Sequence, residues 1–194
     1  MRRADTGRTT KETDVRVRLE LDSAEPEVSI ATGIPFFDHM LDLFGFHSGC
    51  GLNITAKGDI EIDFHHTVED VGICLGQAVQ QALSDKHGIN RYGFYILPMD
   101  EARAEVALDF SGRPYCVWEG IRPEGLSGQF DVQLIEEFFQ AFSIHAGVTL
   151  HIIVPSGKNL HHIVEAVFKC FARAFKAAAA FDGTGRLPST KGSI

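Results

Sequence analysis

The chain has 194 residues, 44% of them hydrophobic and 23% charged, which is ordinary for a globular protein and excludes a disordered or fibrous one. Its net charge of −8 argues against a nucleic-acid surface, which carries a basic stripe, and its apolar runs are too short to cross a bilayer. No apolar segment follows the first residues, so no secretory signal is expected. Four cysteines without C-x-x-C spacing favour a reduced, cytoplasmic protein.

Strands and helices are predicted in alternation along the chain. The predicted elements are, in order, a strand at 15–21, a helix at 35–44, strands at 52–56 and 60–64, a helix at 68–82, strands at 104–110 and 115–118, a helix at 134–142, a strand at 148–154 and a helix at 164–178. The strands alternate apolar and polar residues, as half-buried antiparallel strands do. The helices carry apolar residues at steps of three and four. A tail rich in Gly, Pro and Ser follows the last helix.

The two halves of the chain repeat one pattern. The segment from His65 to Glu69 matches the segment from His161 to Glu165 at an offset of 96 residues. A duplication is therefore predicted, with one α+β repeat at 1–92 and a second repeat with the tail at 93–194. Because each sheet is expected to bury one face under helices, the halves should pack as a layered α/β sandwich.

The repeated motif, H-H-x-x-E, has the spacing of a metal site. His65 and Glu69 lie one helical turn apart and can share an ion, whereas His66 points about 100° away and should serve a second one. The second copy supplies His161, His162 and Glu165 in the same arrangement. Upstream, where the offset between the halves becomes 98, the repeat register adds a further pair, His39 and Glu137. One such motif alone is typical of a solvated helix face. Two copies in register predict a pair of sites, and imidazole mixed with carboxylate suits Mn, Fe or Co.

Several other residues become candidates for substrate binding or proton transfer only if such a metal pair acts on an anionic substrate with the help of a base. Arg91 and Arg113 lie in predicted turns, Lys191 lies in the tail, Lys169 follows Glu165 by four residues, and Glu12 precedes the first predicted strand. Each has an ordinary explanation by itself: a solvated turn arginine, a disordered tail, a helical ion pair or an exposed loop residue.

Seven strings of the chain resemble imidazoleglycerol-phosphate dehydratases of histidine biosynthesis, in order and over essentially the whole length. They are T-K-E-T (10–13), T-G-I-P-F-F-D-H-M-L (32–41), H-H-T-V-E-D (65–70), P-M-D-E-A (98–102), S-G-R-P (111–114), H-H-I-V-E-A-V-F-K (161–169) and P-S-T-K-G (188–192). Since 194 residues leave no room for the phosphatase fused to this activity in some bacteria, the resemblance is to the monofunctional form.

The resemblance implies dehydration of D-erythro-imidazole glycerol phosphate to imidazole acetol phosphate, through an imidazolate and a diazafulvene-like intermediate held by two Mn²⁺ ions. It implies that Glu12 is the base and that Lys169 lies in the substrate site near the metals. By the same resemblance, Arg91, Arg113, Ser189 and Lys191 clamp the phosphate. A homo-oligomer of 24 subunits, with metals at subunit contacts, is also implied; the tail would then reach a neighbouring site.

Three positions depart from the family pattern. Phe64 stands where many relatives have Asp, Leu43 where some have Gln, and Glu137 where plant and enterobacterial relatives have His. Two other functions stay open at this point: a binuclear metal phosphatase or hydrolase, and a protein whose ions only hold an oligomer together.

Overall fold

Two four-stranded sheets with four helices between them make up the computed structural model, which describes residues 2–194. The first sheet and its helices come from β1 (Arg3–Thr9), β2 (Thr13–Glu20), β3 (Val28–Ala31), α1 (Pro35–Ser48), β4 (Gly51–Gly58) and α2 (His65–Leu83). The second sheet and its helices come from β5 (Tyr92–Met99), β6 (Ala102–Asp109), β7 (Tyr115–Gly120), α3 (Leu134–Ala146), β10 (Thr149–Ser156) and α4 (Leu160–Ala179). A two-stranded ribbon, β8 (Leu126–Ser127) with β9 (Phe130–Asp131), precedes α3.

Both four-stranded sheets have the same topology. Their orders are β1-β2-β4-β3 and β5-β6-β10-β7, and in each the last two strands of the order pair in parallel while the other pairs are antiparallel. The predicted α+β fold with layered sheets and helices is therefore present. The duplication that would explain the shared topology stays a proposal, which this topology supports.

The helices are packed by aromatic side chains and, at one contact, by glycines. Ten phenylalanine side chains are almost fully buried; most of them lie on α1, α3 and α4. Helix α2 approaches α3 closely at Gly72 and Gly76, where an added Cβ would lie 2.8 Å from the Phe138 carbonyl oxygen and 2.7 Å from that of Phe142. The absence of a side chain at these two positions lets both helices share one core.

The strands β1, β3, β5, β8 and β9 were not predicted, and the predictions that were made need two corrections. Residues 60–64, predicted as a strand, form a turn in which the Ile62 amide donates to the Asp59 carbonyl oxygen, and Ile62 is exposed. Each sheet also contains one parallel pair, β3 with β4 and β7 with β10, rather than antiparallel strands alone. Within residues 2–194, no helix is both long and apolar enough to span a membrane.

Candidate metal centre and anion cleft

One group of three metal-ligating side chains forms between the two halves of the fold. His39 comes from α1, while His161 and Glu165 lie one turn apart on α4. The Asn159 side chain caps α4 by accepting from the backbone amides of His161 and His162, which fixes the start of the helix that carries these residues. The ligand atoms of the three side chains all lie within 4.8 Å of one another.

The spacing of these atoms fits a single bound ion. The Nε2 atoms of His161 and His39 lie 2.9 and 3.6 Å from Glu165 Oε2. Ligand atoms about 2.0–2.2 Å from one ion are separated by about 3–3.5 Å when they occupy adjacent positions. Imidazole and carboxylate are also the donors that divalent transition metals accept. The three residues therefore form a suitable part of a metal site.

Glu165 is the charged centre of this group. Its side chain is 9% exposed, and Oε1 lies 2.5 Å from the Lys169 ammonium. Burial alone would raise the pKa of this carboxyl, but the hydrogen bonds and charges of Lys169 and His161 outweigh it and hold the pKa below its ordinary value. Glu165 is thus an anion at neutral pH, as a metal ligand must be, and Lys169 lies directly beside the group.

An apolar cleft opens next to the two histidines. It has a volume of about 440 Å³, and its walls include His39, His161 and the aromatic rings of Phe36, Phe64 and Phe130. The His161 ring meets Phe36 edge to face, with ring centroids 5.4 Å apart. The cleft therefore offers aromatic side chains beside the candidate metal site.

The second histidine of each pair turns away from the first and contacts a carboxylate. His162 Nδ1 lies 2.8 Å from Glu101 Oε2, and His66 Nδ1 lies 3.0 Å from Asp59 Oδ2. These hydrogen bonds raise the pKa of each imidazole above its ordinary value. The rings of His65 and His66 have their centroids 6.1 Å apart and are almost perpendicular.

The other predicted ligands do not form a second cluster within one chain. Within residues 2–194, His39, His161 and Glu165 are the only His, Cys, Asp or Glu side chains that bring three ligand atoms within 4.8 Å of one another. His65 is half-buried at the start of α2, and Glu69 is exposed one turn later. Glu137 is exposed on α3 and lines a separate cleft of about 140 Å³.

Glu12 lies in the turn between β1 and β2, and hydrogen bonds to the buried Asp70 hold this turn against α2. The buried Asp70 side chain accepts from Arg8 Nε at 2.7 Å and from the Thr13 hydroxyl. The Glu12 backbone carbonyl accepts from the Asp59 amide at 3.1 Å, and its exposed carboxylate is close enough to add to the rise in the pKa of His66. The predicted base therefore lies near the second histidine of the first motif.

The four residues expected to clamp a phosphate line one cleft of about 440 Å³: Arg91, Arg113, Ser189 and Lys191. Arg91 is fixed by Asp109, with Nε 2.6 Å from Oδ1 and Nη2 3.1 Å from Oδ2, and its Nη1 donates to the Pro188 carbonyl oxygen of the tail at 2.8 Å. Two guanidinium groups and one ammonium line this cleft, and these are the groups that bind oxyanions.

Four carboxylates of these sites escaped prediction from the sequence. Asp59, Glu101 and Asp109 each fix a site residue through a side-chain hydrogen bond, and Asp70 holds the turn of Glu12 through Arg8 and Thr13. Glu101 stands in the string P-M-D-E-A and Asp70 ends H-H-T-V-E-D, so both were visible in the motifs. Their partners lie 61 and 62 residues away in sequence, which no local pattern indicates.

Comparison with known proteins finds relatives over the whole length of the chain. The family model described as imidazoleglycerol-phosphate dehydratase matches residues 32–175. Proteins named imidazoleglycerol-phosphate dehydratase from Azorhizobium caulinodans and from an Anaeromyxobacter species are 54% and 53% identical to the chain; the matches cover all of the chain and 99% and 94% of those proteins.

Solved structures agree as well. The imidazoleglycerol-phosphate dehydratase of Staphylococcus aureus superimposes with a TM-score of 0.83 at 41% identity, over 92% of this chain and 99% of that one. A Pyrococcus furiosus structure, titled IGPD in complex with (S)-C348, has the same TM-score at 36% identity, over 97% of this chain and 100% of that one.

Proposed function

Because the chain belongs to the imidazoleglycerol-phosphate dehydratase family, a family of hydro-lyases in histidine biosynthesis, we propose that it converts D-erythro-imidazole glycerol phosphate to imidazole acetol phosphate. The C2 proton and the C3 hydroxyl of the glycerol chain leave as water, and the resulting enol becomes the ketone by moving a proton to C3. The observation that carries this proposal is the His39, His161 and Glu165 group beside an aromatic cleft, in a chain that matches the family over its full length.

A pair of Mn²⁺ ions per active site is the proposed cofactor. Its proposed ligands are those that the duplicated motif nominates: His39, His65, His66, Glu69, Glu137, His161, His162 and Glu165. When bound, such ions act as Lewis acids that draw electron density from an imidazole ring and hold the ring in one orientation. The gathered trio supports this proposal. Glu137, where some relatives have His, would add negative charge around its ion.

Glu12 is the proposed base that takes the C2 proton. Its turn is anchored by Asp70 against the helix that carries His65 and His66, so its carboxylate is held near the first histidine pair while staying exposed to a substrate. A general base needs this combination of a fixed backbone and an accessible carboxylate.

The cleft of Arg91, Arg113, Ser189 and Lys191 is the proposed phosphate site. Asp109 orients Arg91 through two hydrogen bonds and attracts the more exposed Arg113, whose Nη2 lies 3.8 Å away. Lys169, beside Glu165, is the proposed substrate contact near the metals.

A homo-oligomer, of 24 subunits by family resemblance, is proposed to complete the site. The lining of the phosphate cleft shares no residue with the cleft of His39 and His161, and the remaining ligands are dispersed within one chain. Residues of neighbouring copies would bring these parts together. A cytoplasmic location is likewise a proposal, and it rests on the four free cysteines.

The test is to incubate the Mn²⁺-loaded protein with imidazole glycerol phosphate and to follow both ketone formation and inorganic phosphate. Ketone without phosphate release is expected. Phosphate release without ketone would contradict the proposal in favour of a phosphatase. No turnover, together with metal that does not exchange, would contradict it in favour of ions that only hold an oligomer together.

A further inference from the structure

In each H-H pair the second histidine has a carboxylate on Nδ1. We propose that Glu101 and Asp59 are positioning residues, which hold His162 and His66 with Nδ1 protonated and Nε2 free to bind a metal ion. This inference rests on the proposed metal-dependent function, and it assigns roles to two residues outside the predicted ligand set.

Glu101 is held so that it can orient His162. It lies in the turn between β5 and β6, and its Oε1 accepts from the backbone amides of Lys158 and Asn159 at 3.1 and 2.8 Å, just before α4 begins. Its Oε2 is left for His162 Nδ1 at 2.8 Å. The same carboxylate therefore fixes both the entry to the helix and the ring of the histidine that the helix carries.

Asp59 does the same for His66 from a different place in the fold. It follows the last residue of β4, its side chain is 15% exposed, and its two oxygens lie 3.0 and 3.3 Å from His66 Nδ1. Its backbone amide donates to the Glu12 carbonyl oxygen at 3.1 Å, so the aspartate is tied to the turn of the proposed base. Gly58 permits the close approach, since an added Cβ there would overlap Thr67 Oγ1 on α2.

The hydrogen-bonding chemistry fixes which ring nitrogen is free. An ionised carboxylate has only acceptor atoms, so the imidazole Nδ1 must carry the hydrogen, and in the neutral ring Nε2 then keeps its lone pair. Metal-ligating histidines almost always donate their other ring N–H to a carboxylate, carbonyl or water in this way. The arrangement is thus the one expected of a ligand held ready for an ion.

The two carboxylates are not copies of one another. The counterpart of Asp59 is Pro155 at the offset of 96 that relates the histidine pairs and Gly157 at the offset of 98 that relates β4 to β10, and neither has a side-chain acceptor. Glu101 instead immediately precedes β6, as Glu12 immediately precedes β2 at the equivalent point of the first sheet. The two halves therefore make the same contact from different loops.

The test compares Asp59→Asn and Glu101→Gln with Glu61→Gln, an exposed carboxylate of the Asp59 loop that serves as the charge-matched control. Mn²⁺ affinity is measured by titration, and the histidine tautomers of the metal-free protein are read from ring ¹⁵N chemical shifts.

In Glu101→Gln the amide oxygen keeps the backbone donors of Lys158 and Asn159, so the new NH₂ group faces Nδ1 and places the hydrogen on Nε2. In Asp59→Asn the neutral amide accepts more weakly than a carboxylate and can also donate, so the Nδ1–H tautomer of His66 is no longer enforced. We expect these tautomer changes and Mn²⁺ binding about 10- to 100-fold weaker, with wild-type values in the control.

Unchanged tautomers together with unchanged affinity would overturn the inference, as would an equal loss of affinity in Glu61→Gln. If Glu101→Gln does not fold because its contacts to the start of α4 are disturbed, Asp59→Asn decides alone, since Asp59 makes no such contact. A wild-type protein that binds no Mn²⁺ would contradict the proposed function instead; the ¹⁵N shifts of the metal-free variants would still decide the orientation of the two rings.

Discussion

Removing the Asp70 carboxylate should both destabilise the protein and slow turnover, because Asp70 ties the Glu12 turn to α2. It accepts from the buried Thr13 hydroxyl and from Arg8 Nε at 2.7 Å. A buried hydrogen bond to a charged group contributes about 1.5–3 kcal/mol. The Arg8 pair contributes less, about 0.2–1 kcal/mol, since the Arg8 side chain is 46% exposed. For Asp70→Ala we therefore expect a fall in the free energy of unfolding of about 2–3 kcal/mol.

Urea unfolding at fixed protein concentration measures this loss, and the melting temperature should fall by roughly 5–10 °C for a chain of this size. Asp70→Asn should recover part of it, because the amide can accept from Arg8 and donate to Thr13. Asp42→Asn, an exposed aspartate on α1, is the control and should change stability by less than about 0.5 kcal/mol. If Asp70→Ala is as stable and as active as the control variant, the anchoring role is refuted.

Three further predictions concern the base, the tail and the metal ligand. Glu12→Gln should keep its Mn²⁺ content and its fold but lose kcat by orders of magnitude; wild-type kcat would remove Glu12 from the role of base. Lys191→Ala should mainly raise KM, and an unchanged KM would exclude the tail from the phosphate site. In metal-free protein, the lowered pKa of Glu165 means that its ionised form stabilises the fold above the ordinary value of 4.5, and that this stabilisation is lost as pH falls through the lower folded-state pKa. The difference in unfolding free energy between wild type and Glu165→Gln should therefore be present at pH 7 and shrink below pH 4.5; a difference independent of pH would contradict this assignment.

The helices were predictable because their apolar residues recur at helical spacing over long segments, and the strands less so. Strand β1 was missed because its buried positions are the small residues Ala4 and Thr6, which make weak alternation. Strand β5 was missed for the opposite reason: it exposes the large apolar side chains of Phe94 and Ile96, which hides the alternation. Residues 60–64 alternate like a strand but are too few, beside Gly58 and Asp59, to overcome the turn that those residues favour.

The candidate site was predictable where its geometry is local. The contact of His161 with Glu165 follows from their one-turn spacing, whereas His39 was nominated by the repeat register and lies on a different helix. Asp59 and Glu101 were missed because the fold brings them to the histidines from turns, and single acidic residues in turns are common. The turns that carry Asp59 and Glu101 come to lie beside the first residues of α2 and α4 only when the helices pack between the sheets.

The central claim is that His39, His161 and Glu165 hold a catalytic metal ion, and anomalous diffraction from crystals of the Mn²⁺-loaded protein tests it most directly. The account predicts an anomalous peak about 2.0–2.2 Å from the Nε2 atoms of both histidines and from a Glu165 carboxylate oxygen. A fully loaded protein that dehydrates its substrate, yet shows its manganese peaks elsewhere and none at this group, would contradict it.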